Sequence, residues 1–144
     1  MRLANKTALI TGGNSGLGLA TAKRFVEEGA RVAITGRDAD RLAAAAKQLG
    51  PRALAVVADA TDIAATEQAV ATVTAQLGKL DIVFANAGIA GQTPLGGTRL
   101  ESFEQVIRTN LTGVFFTVQA ALPHLNDGAS IILTGSVIPA LGHP

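Results

Sequence analysis

Three glycines between a short apolar segment and a helical segment form the part of this sequence best suited to holding an anionic ligand. Gly12, Gly16 and Gly18 lie within residues 11–18, directly after the predicted strand residues 7–10. Glycine lets the backbone turn tightly and approach a ligand, because it has no Cβ. The amides at the start of the following helix offer unpaired donors and a positive dipole end, which suit a pyrophosphate. A loop that only turns the chain is the weaker interpretation, because the spacing G-x-x-x-G-x-G stands between a strand and a helix.

Polar residues after the later predicted strands form the second group of candidates. Asn86-Ala87-Gly88 follows the fourth strand, and its position behind a buried strand makes it more than an ordinary turn signal. Asn110 is a polar side chain on an otherwise apolar helix, so it must find partners or bear a desolvation cost of roughly 1–3 kcal/mol. Asp59 follows the third strand, where a capping or turn role and a ligand contact are equal alternatives. Ser136 follows the fifth strand and by itself is only a polar residue in a turn.

The elements that must position these residues are short β-like runs alternating with longer helical stretches, an order that predicts α/β units around a parallel sheet. The predicted strands cover residues 6–11, 31–35, 53–57, 80–85 and 130–133. The predicted helices lie near residues 16–28, 40–49, 64–77 and 101–125. Nearly continuous apolar strands fit a sheet that is covered on both faces.

The last predicted helix is apolar over most of its surface. A helix of this kind needs a second partner besides its own sheet. Residues 109–126 carry no charge and approach the length of a membrane span, but polar residues interrupt them, so we expect a largely buried helix and no membrane contact. The stripe at helical spacing consists of Phe103, Val106, Ile107, Leu111, Val114, Val118, Leu122 and Leu125.

Composition indicates a packed globular protein of one domain. The 144 residues are 48% hydrophobic and 16% charged, which is typical of a folded core and not of a disordered chain. Twelve basic and eleven acidic residues are interspersed and leave a net charge of +1, so no nucleic-acid partner is expected. The sequence has no cysteine, and its histidines, His124 and His143, stand alone, so no metal site is expected. Because the polar start of the chain is not a signal peptide, we expect a cytoplasmic protein.

With this strand–turn–helix in place, the chain resembles the short-chain dehydrogenase/reductase family over its whole length. The resemblance rests on residues 11–18, Asp59, Asn86-Ala87-Gly88, Asn110 and Ser136, which occur in the family's order. It implies a Rossmann-like doubly wound parallel sheet with the strand order 3-2-1-4-5, and residues 1–144 as one NAD(P)-binding domain. It also implies that the parent enzyme moves hydride between nicotinamide and a small carbonyl or alcohol substrate.

The resemblance assigns roles to individual residues. Asp59 would lie beside the adenine ring, and Asn86 would fix the loop under the cofactor while Gly88 lets the backbone pass close to it. Asn110 would join the active-site hydrogen-bond network and proton relay, and Ser136 would hydrogen-bond the substrate oxygen. The full set of expected cofactor contacts is Thr11, Gly12, Asn14, Ser15, Gly16, Leu17, Gly18, Arg37, Asp59, Ala60, Asn86, Ala87 and Gly88.

The end of the second predicted strand distinguishes between two dinucleotides. A site for NAD usually has a carboxylate there to bond the ribose 2′-hydroxyl, but here the strand ends in Thr35-Gly36-Arg37. A carboxylate would repel a 2′-phosphate, whereas a guanidinium can hold one through two charge-assisted hydrogen bonds. Arg37 therefore favours NADP(H) over NAD(H). The alternatives are an exposed turn arginine, or an Asp38 turned toward the ribose, although Asp38 fits better as a helix N-cap.

The residues that the family uses for proton transfer are the part of the resemblance that this sequence lacks. The family's general acid is a tyrosine beyond the serine, followed by a lysine that lowers the tyrosine pKa, because a free phenol stays protonated until about pH 10. The sequence contains no tyrosine. We therefore expect the chain alone to be an inactive, C-terminally truncated NADP(H)-binding part of an oxidoreductase. The alternative is a non-catalytic dinucleotide-binding or interaction module from a truncated gene.

The resemblance also bears on assembly. In the family the sheet continues with further strands and with a helix that packs beside the long one. Without them, we expect the fifth strand to be an exposed edge and apolar surface near residues 111–121 to be uncovered. Exposed edges and large apolar patches favour association, so a homo-oligomer is expected.

Overall fold

The strands form one parallel sheet in the residues that the structure, a computed structural model, describes, which are 1–91 and 93–136. The order across the sheet is β3-β2-β1-β4-β5, and all four pairings are parallel. The predicted order and fold class are therefore confirmed. The strands are β1 (Thr7–Thr11), β2 (Arg31–Gly36), β3 (Ala53–Val57), β4 (Leu80–Ala85) and β5 (Leu125–Leu133).

Helices cover both faces of this sheet. Side chains of successive strand residues point to opposite faces: Ala8 and Ile10 of β1 share one core cluster with Ala22 and Leu42, whereas Leu9 belongs to the other. The first cluster contains α1 and α2, and the second contains α3 and α5, so the sheet is doubly wound. The helices are α1 (Gly16–Glu27), α2 (Ala39–Leu49), α3 (Ile63–Leu77), α4 (Leu100–Ile107) and α5 (Val114–Ala121).

Side-chain caps fix the start of the two helices that follow β2 and β3. The Asp38 carboxylate accepts a hydrogen bond from the Arg41 amide at 3.0 Å and begins α2, so the N-cap interpretation of Asp38 is confirmed. Asp62 begins α3 in the same way, accepting from the Ala65 amide at 3.0 Å. Such caps satisfy amides that have no partner in the first helical turn.

The long helix near residues 101–125 is not continuous, and that prediction is wrong in two places. Between α4 and α5 the chain forms a π-helical segment, Arg108–Gly113, which we call the π turn. After α5 it tightens into a 3-10 turn, Leu122–His124, because Pro123 has no amide hydrogen to continue an α-helix. Leu125, predicted as the last helical residue, is the first residue of β5.

The fifth strand is longer than residues 130–133 because it contains an irregularity. Leu80 pairs with Leu125, but Ile82 pairs with Ser130, so extra residues bulge out on the β5 side. Gly128 lies in this segment with a φ of 75°. In the sequence, Asn126, Asp127 and Gly128 look like a turn, which hides the strand residues before them. The other predicted elements agree with the structure to within one residue at either end.

The helical face that packs on the sheet after the π turn is built from small residues. Gly113, Thr117 and Ala121 are buried there, whereas Leu111 and Phe115 are 62% and 60% exposed. None of the eight residues of the large apolar stripe predicted on this helix is buried, and half of them are exposed. No helix among the described residues is long and apolar enough to cross a membrane.

Candidate functional site

The predicted site residues gather at one edge of the sheet, the one formed by the carboxyl ends of the strands. Because all strands are parallel, their carboxyl ends meet at this edge, and the segment after each strand carries candidates. The glycine turn follows β1, Arg37 follows β2, Asp59 and Ala60 follow β3, Asn86-Ala87-Gly88 follows β4, and Ser136 follows β5. Segments far apart in the sequence thus line one crevice.

The glycine turn between β1 and α1 has a backbone that other residues do not fit. Gly12 and Gly16 have φ values of 62° and 50°, in the left-handed region that favours glycine. A Cβ on Gly18 would overlap the carbonyl oxygen of Gly12 and would lie 2.7 Å from Asn86 Nδ2. A Cβ on Gly13 would lie 2.5 Å from Ile34 Cγ2 of the neighbouring strand. The turn is therefore held tightly against β2 and against the segment that follows β4.

The start of α1 has the properties of an anion site. Ser15 is the N-cap, and its side chain makes no capping hydrogen bond within the described part of the chain. The first turn of α1 carries no acidic residue, so no side chain of that turn neutralises the positive end of the helix dipole. The first amides of an α-helix have no partner inside the helix, and Leu17 beside them is 70% exposed. A pyrophosphate, which accepts hydrogen bonds and carries negative charge, fits this cradle.

Asn86 joins the glycine turn to the ends of two other strands. Its backbone amide and that of Ala87 both donate to Thr11 Oγ1 at 3.0 Å. Its side-chain Nδ2 donates to the carbonyl oxygens of Thr11 at 3.2 Å and Gly12 at 3.4 Å. On the other side, Thr134 Oγ1 donates to Asn86 Oδ1 at 3.0 Å. One side chain therefore fixes the ends of β1, β4 and β5 relative to each other.

Thr134 was missed by the sequence analysis. It lies directly after β5 and two residues before Ser136, which is exposed at the same edge. The signal that could have found it is the alternation of side chains along an extended segment, because residues two apart point the same way.

Asn110 lies in the π turn and holds the loop after β4. Its Oδ1 accepts from the Ile89 amide, and its Nδ2 donates to the Ile89 carbonyl, both at 2.8 Å. The expected partners of this side chain are thus backbone groups, and Ile89 was not among the predicted site residues. A Cβ on Gly88 would lie 3.3 Å from Asn110 Oδ1, so the loop passes close to the π turn. An amide side chain can make up to four hydrogen bonds, so capacity for another partner remains.

The end of β2 brings Arg37 beside the glycine turn. Gly36 is buried, and a Cβ on it would lie 3.1 Å from the Asn14 Oδ1 atom. The Arg37 side chain is exposed, directly after this contact. A larger residue at Gly36 would therefore displace Asn14, and the cation of Arg37 lies at the rim of the crevice.

The loop after β3 is held by its own turn and by the π turn. Asp59 Oδ1 accepts from both the amide and the hydroxyl of Thr61 at 2.8 Å, so the turn interpretation of Asp59 is confirmed. Its predicted contact with adenine stays a prediction. The Ala60 carbonyl oxygen would lie 2.6 Å from a Cβ on Gly113, so this loop and the π turn touch through their backbones.

The carboxylate of Asp81 lies on β4 at the opposite edge of the sheet. Burial acts to raise its pKa, but hydrogen bonds from the Thr7 amide at 2.9 Å, Lys6 Nζ at 3.0 Å and Asn126 Nδ2 at 3.2 Å outweigh that effect, and its pKa lies below the ordinary value. This cluster joins β1, β4 and β5 at the edge away from the crevice. Among the described residues no group of His, Cys, Asp and Glu could hold a metal ion; His143 lies outside those residues.

The comparisons with known proteins agree with this geometry. A family model described as short chain dehydrogenase matches residues 6–144. The chain belongs to the short-chain dehydrogenase/reductase family. This is a family of oxidoreductases that use NAD(P), so the crevice lies where a dinucleotide is expected to bind.

Individual relatives resemble the chain over nearly all of its length. An oxidoreductase from Sarocladium schorii is 49% identical over 99% of this chain and 58% of that protein. An NADP-dependent (R)-specific alcohol dehydrogenase from Lentilactobacillus kefiri is 39% identical over 99% of this chain and 59% of that protein. A solved short chain dehydrogenase from Burkholderia cenocepacia in complex with NADP has a TM-score of 0.92 and 38% identity, and the match covers 100% of this chain and 60% of that one. The chain therefore spans 60% or less of the length of each of these relatives.

Proposed function

We propose that residues 1–144 form the NADP(H)-binding part of a short-chain oxidoreductase that moves hydride between nicotinamide and a small carbonyl or alcohol substrate. The observation that carries this proposal is the glycine turn, whose backbone admits no Cβ at Gly18 and whose helix start is free of acidic residues. Arg37 supports the choice of NADP(H) over NAD(H), because an exposed guanidinium at the rim of the crevice suits a 2′-phosphate.

Cofactor titration tests this proposal. We expect NADPH to bind the purified chain more tightly than NADH, measured by the change in nicotinamide fluorescence. Arg37→Ala should weaken NADPH binding by roughly tenfold to a hundredfold, the equivalent of about 1.5–3 kcal/mol for a charged hydrogen bond, and should leave NADH binding unchanged. Arg52→Ala is the matched control, because Arg52 is an exposed arginine directly before β3 at the opposite edge. Absence of binding at millimolar NADPH would refute the proposal.

Ser136 and Asn110 are the proposed catalytic residues of the whole enzyme. A bound nicotinamide supplies the hydride; the serine hydroxyl would orient the substrate oxygen, and Asn110 would hold the loop after β4 while it takes part in the hydrogen-bond network. Neither side chain is an effective acid near neutral pH, and the 144 residues contain no tyrosine. We propose that these residues alone bind cofactor without turnover. Carbonyl-dependent NADPH oxidation by the purified chain would contradict this.

A homo-oligomer is also part of the proposal. β5 is the outermost strand on one side of the sheet. The helical segments beside it expose Phe103, Ile107, Leu111, Phe115 and Leu122. Apolar side chains grouped in this way favour association, because pairing removes them from water. Light scattering should therefore report a mass above that of one chain, and a compact monomer would contradict it. The cytoplasmic location expected from the sequence stays a prediction.

A further inference from the structure

A groove of about 320 Å³ opens between the end of β2, the loop after β3 and the π turn. Arg37 and Thr61 line it from the sheet, and Arg108 and Thr109 line it from the helix. Arg37 is the residue proposed above to hold a 2′-phosphate. Arg108 is a second guanidinium on the same groove, contributed by a different element, and the family resemblance assigned it no role.

The π turn that Arg108 begins is fixed at two points after this residue. Gly113 closes the π turn against the Ala60 carbonyl oxygen, which a Cβ at that position would approach to 2.6 Å. Asn110, two residues after Arg108, is bonded at both ends of its amide to Ile89. The π turn is thereby attached to the loops after β3 and β4, so the backbone of Arg108 has a fixed position beside the groove.

The charges around the groove leave the two arginines available for an anion. Glu101 and Glu104 also line the groove, but Glu101 lies 3.5 Å from Arg99, which takes up part of its charge. Within residues 1–91 and 93–136, neither Arg37 nor Arg108 makes an ion pair with a carboxylate. Among these described residues, Glu104 is therefore the one carboxylate of the groove that makes no ion pair. Two guanidinium groups of the groove, those of Arg37 and Arg108, make none either.

We propose that Arg108 is a specificity-determining residue for NADP(H), acting with Arg37 on the 2′-phosphate from the opposite wall of the groove. The inference rests on the proposed function. A phosphate monoester carries up to two negative charges and several acceptor oxygens, so it can take hydrogen bonds from two guanidinium groups at once. Glu104 opposes the same anion by repulsion. The ribose hydroxyl of NADH offers no such charge, so the effect of each of these side chains is confined to NADPH.

The test compares NADPH and NADH affinities in matched variants of the full chain. Arg108→Ala should weaken NADPH binding by about tenfold and leave NADH binding unchanged, because only the phosphate loses a partner. Glu104→Gln should do the reverse and tighten NADPH binding, which a loss of folding cannot imitate. Arg52→Ala is the control, since Arg52 is an exposed arginine directly before β3 and does not line the groove. The affinities of the variants for 2′,5′-ADP and for ADP, which both lack the nicotinamide, should differ in the same way as those for NADPH and NADH.

The outcomes separate this inference from the proposal on which it rests. If the unaltered chain binds neither dinucleotide, both are overturned. If NADPH binds and depends on Arg37, but Arg108→Ala leaves its affinity unchanged or weakens NADPH and NADH equally, the role of Arg108 alone is overturned. A tenfold loss confined to NADPH, together with the gain in Glu104→Gln, supports it.

Discussion

Replacing Gly18 by alanine sets two effects of known sign against each other. Gly18 lies in the first turn of α1, where alanine would be favoured over glycine by about 1 kcal/mol from helix propensity alone. The added Cβ, however, would overlap the Gly12 carbonyl oxygen and lie 2.7 Å from Asn86 Nδ2. Both neighbours are tied, because Asn86 is bonded to the backbone of the glycine turn. Overpacking of this kind costs about 1–3 kcal/mol, and contact with fixed backbone belongs at the upper end.

We therefore expect Gly18→Ala to lower the free energy of unfolding by about 2 kcal/mol and the melting temperature by roughly 5 °C or more. NADPH affinity should fall at least tenfold, because the turn must shift to admit the methyl group. Urea unfolding and cofactor titration measure the two effects. Gly97→Ala is the control: among the described residues the nearest atom to its Cβ would be Pro94 Cγ at 3.7 Å, an ordinary contact. If Gly18→Ala were as stable as the unaltered chain and bound NADPH equally well, the steric account of the turn would be wrong.

Three further changes probe the links around the crevice and the opposite edge of the sheet. Thr11→Val removes the acceptor of two backbone amides and should cost about 2 kcal/mol in urea unfolding, whereas Thr11→Ser, which keeps the hydroxyl, should cost much less. Asp81 has a lowered pKa, so its contribution to the free energy of unfolding is present above about pH 4 and is lost as the pH falls through the folded-state pKa. Asp81→Asn should therefore lower the free energy of unfolding by about 1 kcal/mol at pH 7 and make it less dependent on pH in the acid range. Equal acid sensitivity in that variant would contradict this assignment. Asn110→Ala should speed hydrogen exchange of the Ile89 amide about tenfold or more, and unchanged exchange would show that the bond is not maintained.

The sheet and the strand ends could be predicted because their signals are local. The apolar strands, the glycine turn and the Asp38 cap each depend on residues close together in the sequence, and the structure has them where they were expected. Parallel order then brings the strand ends to one edge. This is why most candidate residues share a crevice although they lie far apart in the sequence.

What could not be predicted depends on contacts between distant segments. The π turn arises where a helix must pass the Ala60 carbonyl and bond the Ile89 backbone, and no residue type announces that geometry. The apolar stripe on the same helix suggested the wrong buried face, because close packing there requires the small residues Gly113 and Thr117. Side-chain alternation indicates the direction of Thr134, but its hydrogen bond to Asn86 joins residues 48 positions apart and is a contact of this kind.

The π turn also changes the direction in which the side chains of α5 face relative to those of α4. An α-helix advances by 100° per residue, so one residue accommodated in a wider turn rotates everything after it by that angle relative to everything before it. The α4 side of the π turn can therefore present Glu101 and Glu104 to the groove, while the α5 side independently presents Thr117 and Ala121 to the sheet. Deleting one residue from Arg108–Gly113 would bring the two halves into a single phase, and only one of these surfaces could then keep its orientation.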